Sequence, residues 1–470
     1  MKSTLFIMLL LSLGCSDDSS PSNTPNNTSD VLVKADANNG QQSDAGGQDV
    51  QERDTPSGED MGIVEGILPD PFSFEGVAYI GHLESGILQW IRTDGTPNMG
   101  GQIDIGEAII ELAIDRKRHL LAAALPGTKE VKIFELDTPQ NPGTPIAAPK
   151  EVFTLSFSDP VLGIKFDPFH NRLYAMKTLP LPAEGPQKEG QLYIYDTTSP
   201  ADLKEVGTPI NLPLSISWDI DPVRQVLFSY SSVEDKIYAY DLKGDQVVAL
   251  PGEPIDAIAW YPESNQNAFN IRNLKVDPWT HRIFGARAQG GLSELIAIEY
   301  ASVIPNSTQS FSDLSSMSDL RKREDGFDLS KDLDSRPFIL DAANVLVDNI
   351  NGMIWMSTAS WDGTRASYGA MSFRADTLAY DKNCEDSPTA LMCWYRSFSG
   401  GVENAAFHIT DGAACIDGKH KVFVGTSYDP LDNTQPGHVH LFQYTSAGEM
   451  TRVTLDSSNL AAFPVAAVCH

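Results

Sequence analysis

The sequence predicts an all-β fold, a seven-bladed β-propeller behind a disordered N-terminal tether. Three observations carry this. First, an apolar strand ending in Asp, a short turn and a second apolar strand recur along the chain. The copies are Leu112-Ala113-Ile114-Asp115 with Leu120-Leu121-Ala122, Ile164-Lys165-Phe166-Asp167 with Arg172-Leu173-Tyr174, and Trp218-Asp219-Ile220-Asp221 with Val226-Leu227-Phe228. They continue with Leu274-Lys275-Val276-Asp277 and Arg282-Ile283-Phe284, Val345-Leu346-Val347-Asp348 and Met353-Ile354-Trp355, and Ala414-Cys415-Ile416-Asp417 and Lys421-Val422-Phe423. Second, the anchor aspartates stand 52, 54, 56, 71 and 69 residues apart, the spacing of a four-stranded unit repeated around an axis. Third, alternating third strands follow, as in Gln191-Leu192-Tyr193-Ile194-Tyr195-Asp196 and Lys236-Ile237-Tyr238-Ala239-Tyr240-Asp241.

Taken from the N-terminus, residues 1–14 read as a signal peptide. Lys2 precedes the apolar run Leu5–Gly14, which is too short for a spanning helix and ends at Cys15. Residues 15–62 form an acidic linker. Between 16 and 62 ten acidic residues face only Lys34 and Arg53, and no aromatic residue occurs. Such a segment cannot bury enough apolar surface to offset the entropy of ordering. As a flexible chain it spans roughly 35–40 Å.

The propeller domain is expected over 63–470. Val77-Ala78-Tyr79-Ile80 and Gly86-Ile87-Leu88-Gln89-Trp90-Ile91 read as the second and third strands of a first blade that lacks its inner strand. Phe463-Pro464-Val465-Ala466-Ala467-Val468-Cys469 reads as an inner strand with no blade after it. Joining the two closes a ring of seven and removes an open edge. The rival inner strand, Ile67-Leu68-Pro69-Asp70, contains a proline that cannot donate to a ladder. Two insertions interrupt the repeat. In 303–340 the apolar positions 311, 314, 317 and 320 predict a short amphipathic helix. Residues 359–401 carry Trp361, Trp394 and Tyr395, and both insertions suit recognition loops on a rigid scaffold.

The Gly14-Cys15 junction resembles the lipobox of bacterial lipoproteins. That resemblance implies cleavage before Cys15, acylation of its thiol and amine, and anchoring in the cell envelope; Ser16 points to the outer membrane. The other four cysteines, Cys384, Cys393, Cys415 and Cys469, suit two disulfides in an oxidising compartment. Three pairings are open. The short, turn-rich intervening loop favours Cys384–Cys393, which leaves Cys415–Cys469 to pin the ring closure.

The repeat resembles the NHL- and YVTN-type propellers, families of binding proteins, scaffolds and enzymes that imply architecture alone. Four residues before the anchors stand Glu111, Gly163, Ser217, Asn273, Asn344 and Ala413. An oxygen set of this kind suits calcium better than zinc. Asn344–Trp355 and Phe74-Glu75-Gly76-Val77 loosely resemble the gluconolactonase/regucalcin propellers. That resemblance implies a calcium site with Glu75 as a ligand and Asn273 and Asn344 as amide partners, in a lactonase- or esterase-type hydrolase. His438 and His440 share one strand face, and His119, His170, His281 and His420 follow the anchors as turn residues.

With 63 acidic against 34 basic residues, net charge −29, nucleic acid is not an expected partner. No nucleophile elbow, P-loop or dinucleotide fingerprint occurs. The functional expectation is a membrane-anchored binding or scaffolding module with a protein or small-molecule ligand. The alternatives are the calcium-dependent hydrolase and an accessory subunit of an envelope complex.

Overall fold

A computed structural model describes residues 75–470, apart from short intervening segments and the longer ones 179–188, 257–269, 301–316, 329–338, 375–407, 429–437 and 455–463. Contacts divide the chain into Met1–Met61 and Gly62–His470, and only the second unit contains described residues. The signal peptide, the tether, Cys15, Cys384, Cys393 and the rival strand 67–70 therefore lie outside the described residues.

The described strands build seven antiparallel sheets in chain order. Sheet one holds Val77–His82, Ile87–Arg92 and Gly101–Asp104. Sheet two holds Glu111–Asp115, Leu120–Leu125, Glu130–Glu135 and Lys150–Ser156. The inner strands of sheets three to seven are Val161–Asp167, Ser217–Asp221, Asn270–Asp277, Ile339–Asp348 and His408–Asp417. Each pairs with the strand that follows it, so every expected repeat copy becomes one hairpin.

Sheet one takes its inner strand from the far end of the chain. Pro464–Cys469 pairs antiparallel with Val77–His82, Tyr79 opposite Val468 and Ile80 opposite Ala467. His470 N donates to Val77 O and Val77 N donates to His470 O, at 2.7 and 3.2 Å. Cys415 on the inner strand of sheet seven and Cys469 form a disulfide with Cα atoms 5.5 Å apart, inside the span that a disulfide bridges without backbone movement.

The anchor aspartates earn their recurrence at the turn. Asp115, Asp167, Asp221, Asp277 and Asp348 are fully or almost fully buried. Asp221 Oδ1 accepts Val223 N and Arg224 N at 2.9 and 3.0 Å, and Asp167 Oδ1 accepts Phe169 N and His170 N at 3.0 and 3.1 Å. These bonds hold the chain in an Asx-type turn. Four residues past the anchor the backbone enters the left-handed region, at His119, Asn171, Gln225, His281 and Gly352, with Gly76 in the matching place of sheet one. In sheets one to five the carbonyl there accepts the N–H just past the third strand, as in Leu136 N to His119 O at 2.8 Å and Tyr300 N to His281 O at 2.9 Å. Of the histidines read as turn residues, His119 and His281 occupy the position where φ turns positive and His170 precedes it by one, whereas His420 opens the second strand of sheet seven opposite Asp417.

The core lies between sheets. Phe228 and Tyr230 of sheet four pack with Leu274, Ile283 and Tyr300 of sheet five. Tyr174 and Met176 of sheet three meet Trp218 and Ile220 of sheet four. Ala78 and Ile80 of sheet one share a cluster with Cys415, Val422 and Val439 of sheet seven, which closes the β-propeller.

The amphipathic helix expected in 303–340 falls mostly on residues outside the described ones, 311, 314 and 320 among them. Just beyond them Arg321–Lys322 pairs with Glu299 and Ile298 on the outer edge of sheet five, and Phe327–Asp328 adds beside it. Met317 is buried in the core between sheets four and five, its N–H on Pro251 O at 2.8 Å. An exposed strand edge offers unpaired ladder groups, and these two short strands pair some of them.

Candidate functional site

Each inner strand has one edge paired within its own sheet and the other turned to the central axis, where N–H and C=O groups lack ladder partners. Side chains from the preceding sheet supply them. Glu111 Oε2 of sheet two accepts Ile164 N of sheet three at 3.0 Å. From sheet four, Ser217 Oγ accepts Leu274 N at 2.5 Å and Asp219 Oδ2 accepts Val276 N at 2.9 Å. Asn273 Nδ2 of sheet five donates to Val345 O of sheet six at 3.1 Å. Asp411 Oδ2 of sheet seven accepts Ala467 N of the terminal strand at 2.9 Å. All five reach in the same sense around the ring.

Charge accumulates at the same level. Lys165 Nζ stands 2.8 Å from Glu111 Oε1 and 3.9 Å from Asp219 Oδ1. Burial pulls the lysine's pKa down, but Glu111, Asp219 and the more remote Asp411 outweigh it, and the net direction is upward. Asp411 keeps some accessible surface in the channel. Burial raises its pKa, against the opposing pull of Lys275, the Ala467 and Gly412 amides and Lys165. Opposite charges that are part-buried interact more strongly than at an open surface.

A second polar layer lies at the anchor end. His470, fully buried, meets His119 with Nε2 and Nδ1 2.8 Å apart. Burial first, then His119 and Arg116, pull His470 down to about 3, so it is neutral at ordinary pH. Arg224 Nη1 pairs with Asp221 Oδ2 at 2.6 Å and Arg224 Nη2 reaches His281 Nε2 at 2.5 Å. Tyr300 OH donates to Asp221 Oδ2 at 2.9 Å.

The residues expected around calcium take separate places. Glu75 sits at the anchor end, its backbone N–H on His470 O at 2.9 Å. Asn273 lies four residues from its anchor, roughly 13 Å along a strand, and its amide reaches sideways to Val345 O. Asn344 pairs in the ladder with Ser357, and its side chain lies outside the described residues. Register shifts fall just before Gly163, Asn273 and Asn344, bulges that re-aim this part of the inner strand. Gly163 is required by close approach, since a Cβ there would come within 2.6 Å of Trp218 Nε1. Among the described residues no three His, Cys, Asp or Glu side chains are grouped to hold a metal ion. His438 and His440 pair opposite Ser427 and Gly425 in sheet seven.

Reading the sequence missed Lys165, Asp219, Lys275 and Asp411. The signal was present: two residues before the anchor, Lys165, Asp219 and Lys275 interrupt apolar runs in three successive copies with alternating sign.

No family model matches the chain, and no curated protein matches it. Solved structures do resemble it. A 6-phosphogluconolactonase-like protein from Bacteroides uniformis aligns with a TM-score of 0.48 at 10% identity, over 84% of this chain and 99% of that one. The periplasmic gluconolactonase of Pseudomonas aeruginosa aligns at 0.47 and 11%, over 83% and 99%. A functionally unknown protein from Desulfotomaculum acetoxidans aligns at 0.43 and 10%, over 84% and 98%. Likeness at this level passes no activity, ligand or partner to this chain.

Proposed function

We propose that this protein is a lipid-anchored binding or scaffolding module of the cell envelope, a seven-bladed ring carried on an acidic tether and held at the outer membrane through acylated Cys15. The observation that supports it most is the use of the inner register. Glu111, Ser217, Asp219, Asn273 and Asp411 serve the backbone of the next sheet, so the polar lining of the channel braces the ring. Parts of the two expected insertions serve the sheets, with 321–322 and 327–328 in sheet five and 359–361 and 366–374 in sheet six. The intervening stretches 303–316 and 375–401 are the segments we assign to recognition of a protein or small-molecule ligand.

Two measurements test this reading. Detergent partitioning of wild type and Cys15→Ala is expected to move the protein from the detergent phase to the soluble or unprocessed fraction; identical partitioning refutes the anchor. Calorimetric titration with calcium, run beside a panel of lactones and esters, separates module from hydrolase. No heat and no turnover is the expected result. Calcium binding lost in Glu75→Gln and Asn273→Ala, together with turnover, overturns the module reading in favour of the calcium-dependent hydrolase.

A further inference from the structure

Two carboxylates, on the sheets either side of sheet three, converge on one ammonium. Glu111 approaches Lys165 Nζ at 2.8 Å and Asp219 at 3.9 Å. Each carboxylate is fixed by something other than the lysine: Glu111 Oε2 by Ile164 N and Asp219 Oδ2 by Val276 N. The negative cage is therefore built by the backbone of the ring, and Lys165 occupies it.

We infer that Lys165 is a tethered resident cation, and that the space its side chain fills is a site for a primary alkylammonium group. The donor set decides the chemistry. An ammonium has three N–H donors and accepts contacts near 2.8 Å from separately anchored oxygens. A divalent ion demands oxygens drawn together at about 2.0–2.6 Å, and no described trio of acidic side chains is so grouped. The inference concerns the channel wall and stands or falls independently of the anchoring and module readings.

Chemical rescue tests it. Lys165→Ala is expected to lower the melting temperature by about 4 °C, the scale for uncovering buried carboxylates in a chain of this size. Ethylammonium or propylammonium chloride is expected to restore most of that loss, while sodium chloride at equal ionic strength and calcium chloride are not. A variant that melts like wild type, a loss that no amine restores, or better rescue by calcium than by amine overturns the inference. If Lys165→Ala does not fold, Lys165→Met combined with Glu111→Gln removes one charge of each sign. Recovery of folding with loss of the amine response supports the site, and failure to recover refutes it.

Discussion

The Cys415–Cys469 disulfide ties the last strand of the ring to the inner strand of its neighbour, and its removal has a calculable cost. The bridge spans 54 residues of sequence. A loop of that length, cross-linked in the unfolded chain, forfeits enough entropy to stabilise the fold by about 4 kcal/mol. The folded unit has about 400 residues, so unfolding entropy near 2.1 cal/mol/K per residue converts this to a fall of roughly 5 °C in melting temperature. Cys415→Ala with Cys469→Ala is the perturbation, compared with the oxidised parent by scanning calorimetry. Both sulfurs are buried, Cys415 at 0% and Cys469 at 2% exposure, so alanine adds a small packing loss of the same sign. Deleting 464–470 is expected to cost far more, because it strips the whole inner ladder from sheet one together with buried Ala466, Ala467 and His470. Non-reducing peptide mapping should recover the 415–469 cross-link. Free thiols in the native protein, or a double variant melting within a degree of the parent, would refute closure by a pinned terminal strand.

Two further outcomes follow from the channel and the anchor layer. Glu111→Ala removes both the acceptor of Ile164 N and the partner of Lys165, and is expected to lower unfolding free energy by about 2 kcal/mol in urea titrations; an unchanged midpoint would show that the brace carries no load. His470 is held neutral, with its pKa near 3 against 6.5 for the free side chain, so the unfolded chain binds the proton first. Stability from this group is intact above pH 6.5 and declines as pH falls toward 3, by about 3 kcal/mol at pH 4. Wild type should lose more stability than His470→Gln across that range, and parallel pH profiles would contradict the assignment.

The repeat was legible because it is local. An anchor Asp, a turn and two apolar strands lie within about a dozen residues, and turn chemistry and period-2 alternation need no knowledge of the rest of the chain. Closure was legible too, since a blade without an inner strand and a strand without a blade at opposite ends have one economical solution. What the sequence could not assign was the direction of side chains at the axis. Glu111, Ser217 and Asn273 share one register position, where the sequence suggested a carboxylate and amides converging on a point beside small neighbours. They instead turn sideways to the next sheet. The physical reason is the inner edge itself: its unpaired N–H and C=O groups, out of reach of ladder partners, take the nearest acceptors and donors. Those partners lie more than fifty residues away in sequence, Glu111 from Ile164 and Asp411 from Ala467. Only the tertiary arrangement of sheets places them within reach, as it alone places Lys165 between Glu111 and Asp219.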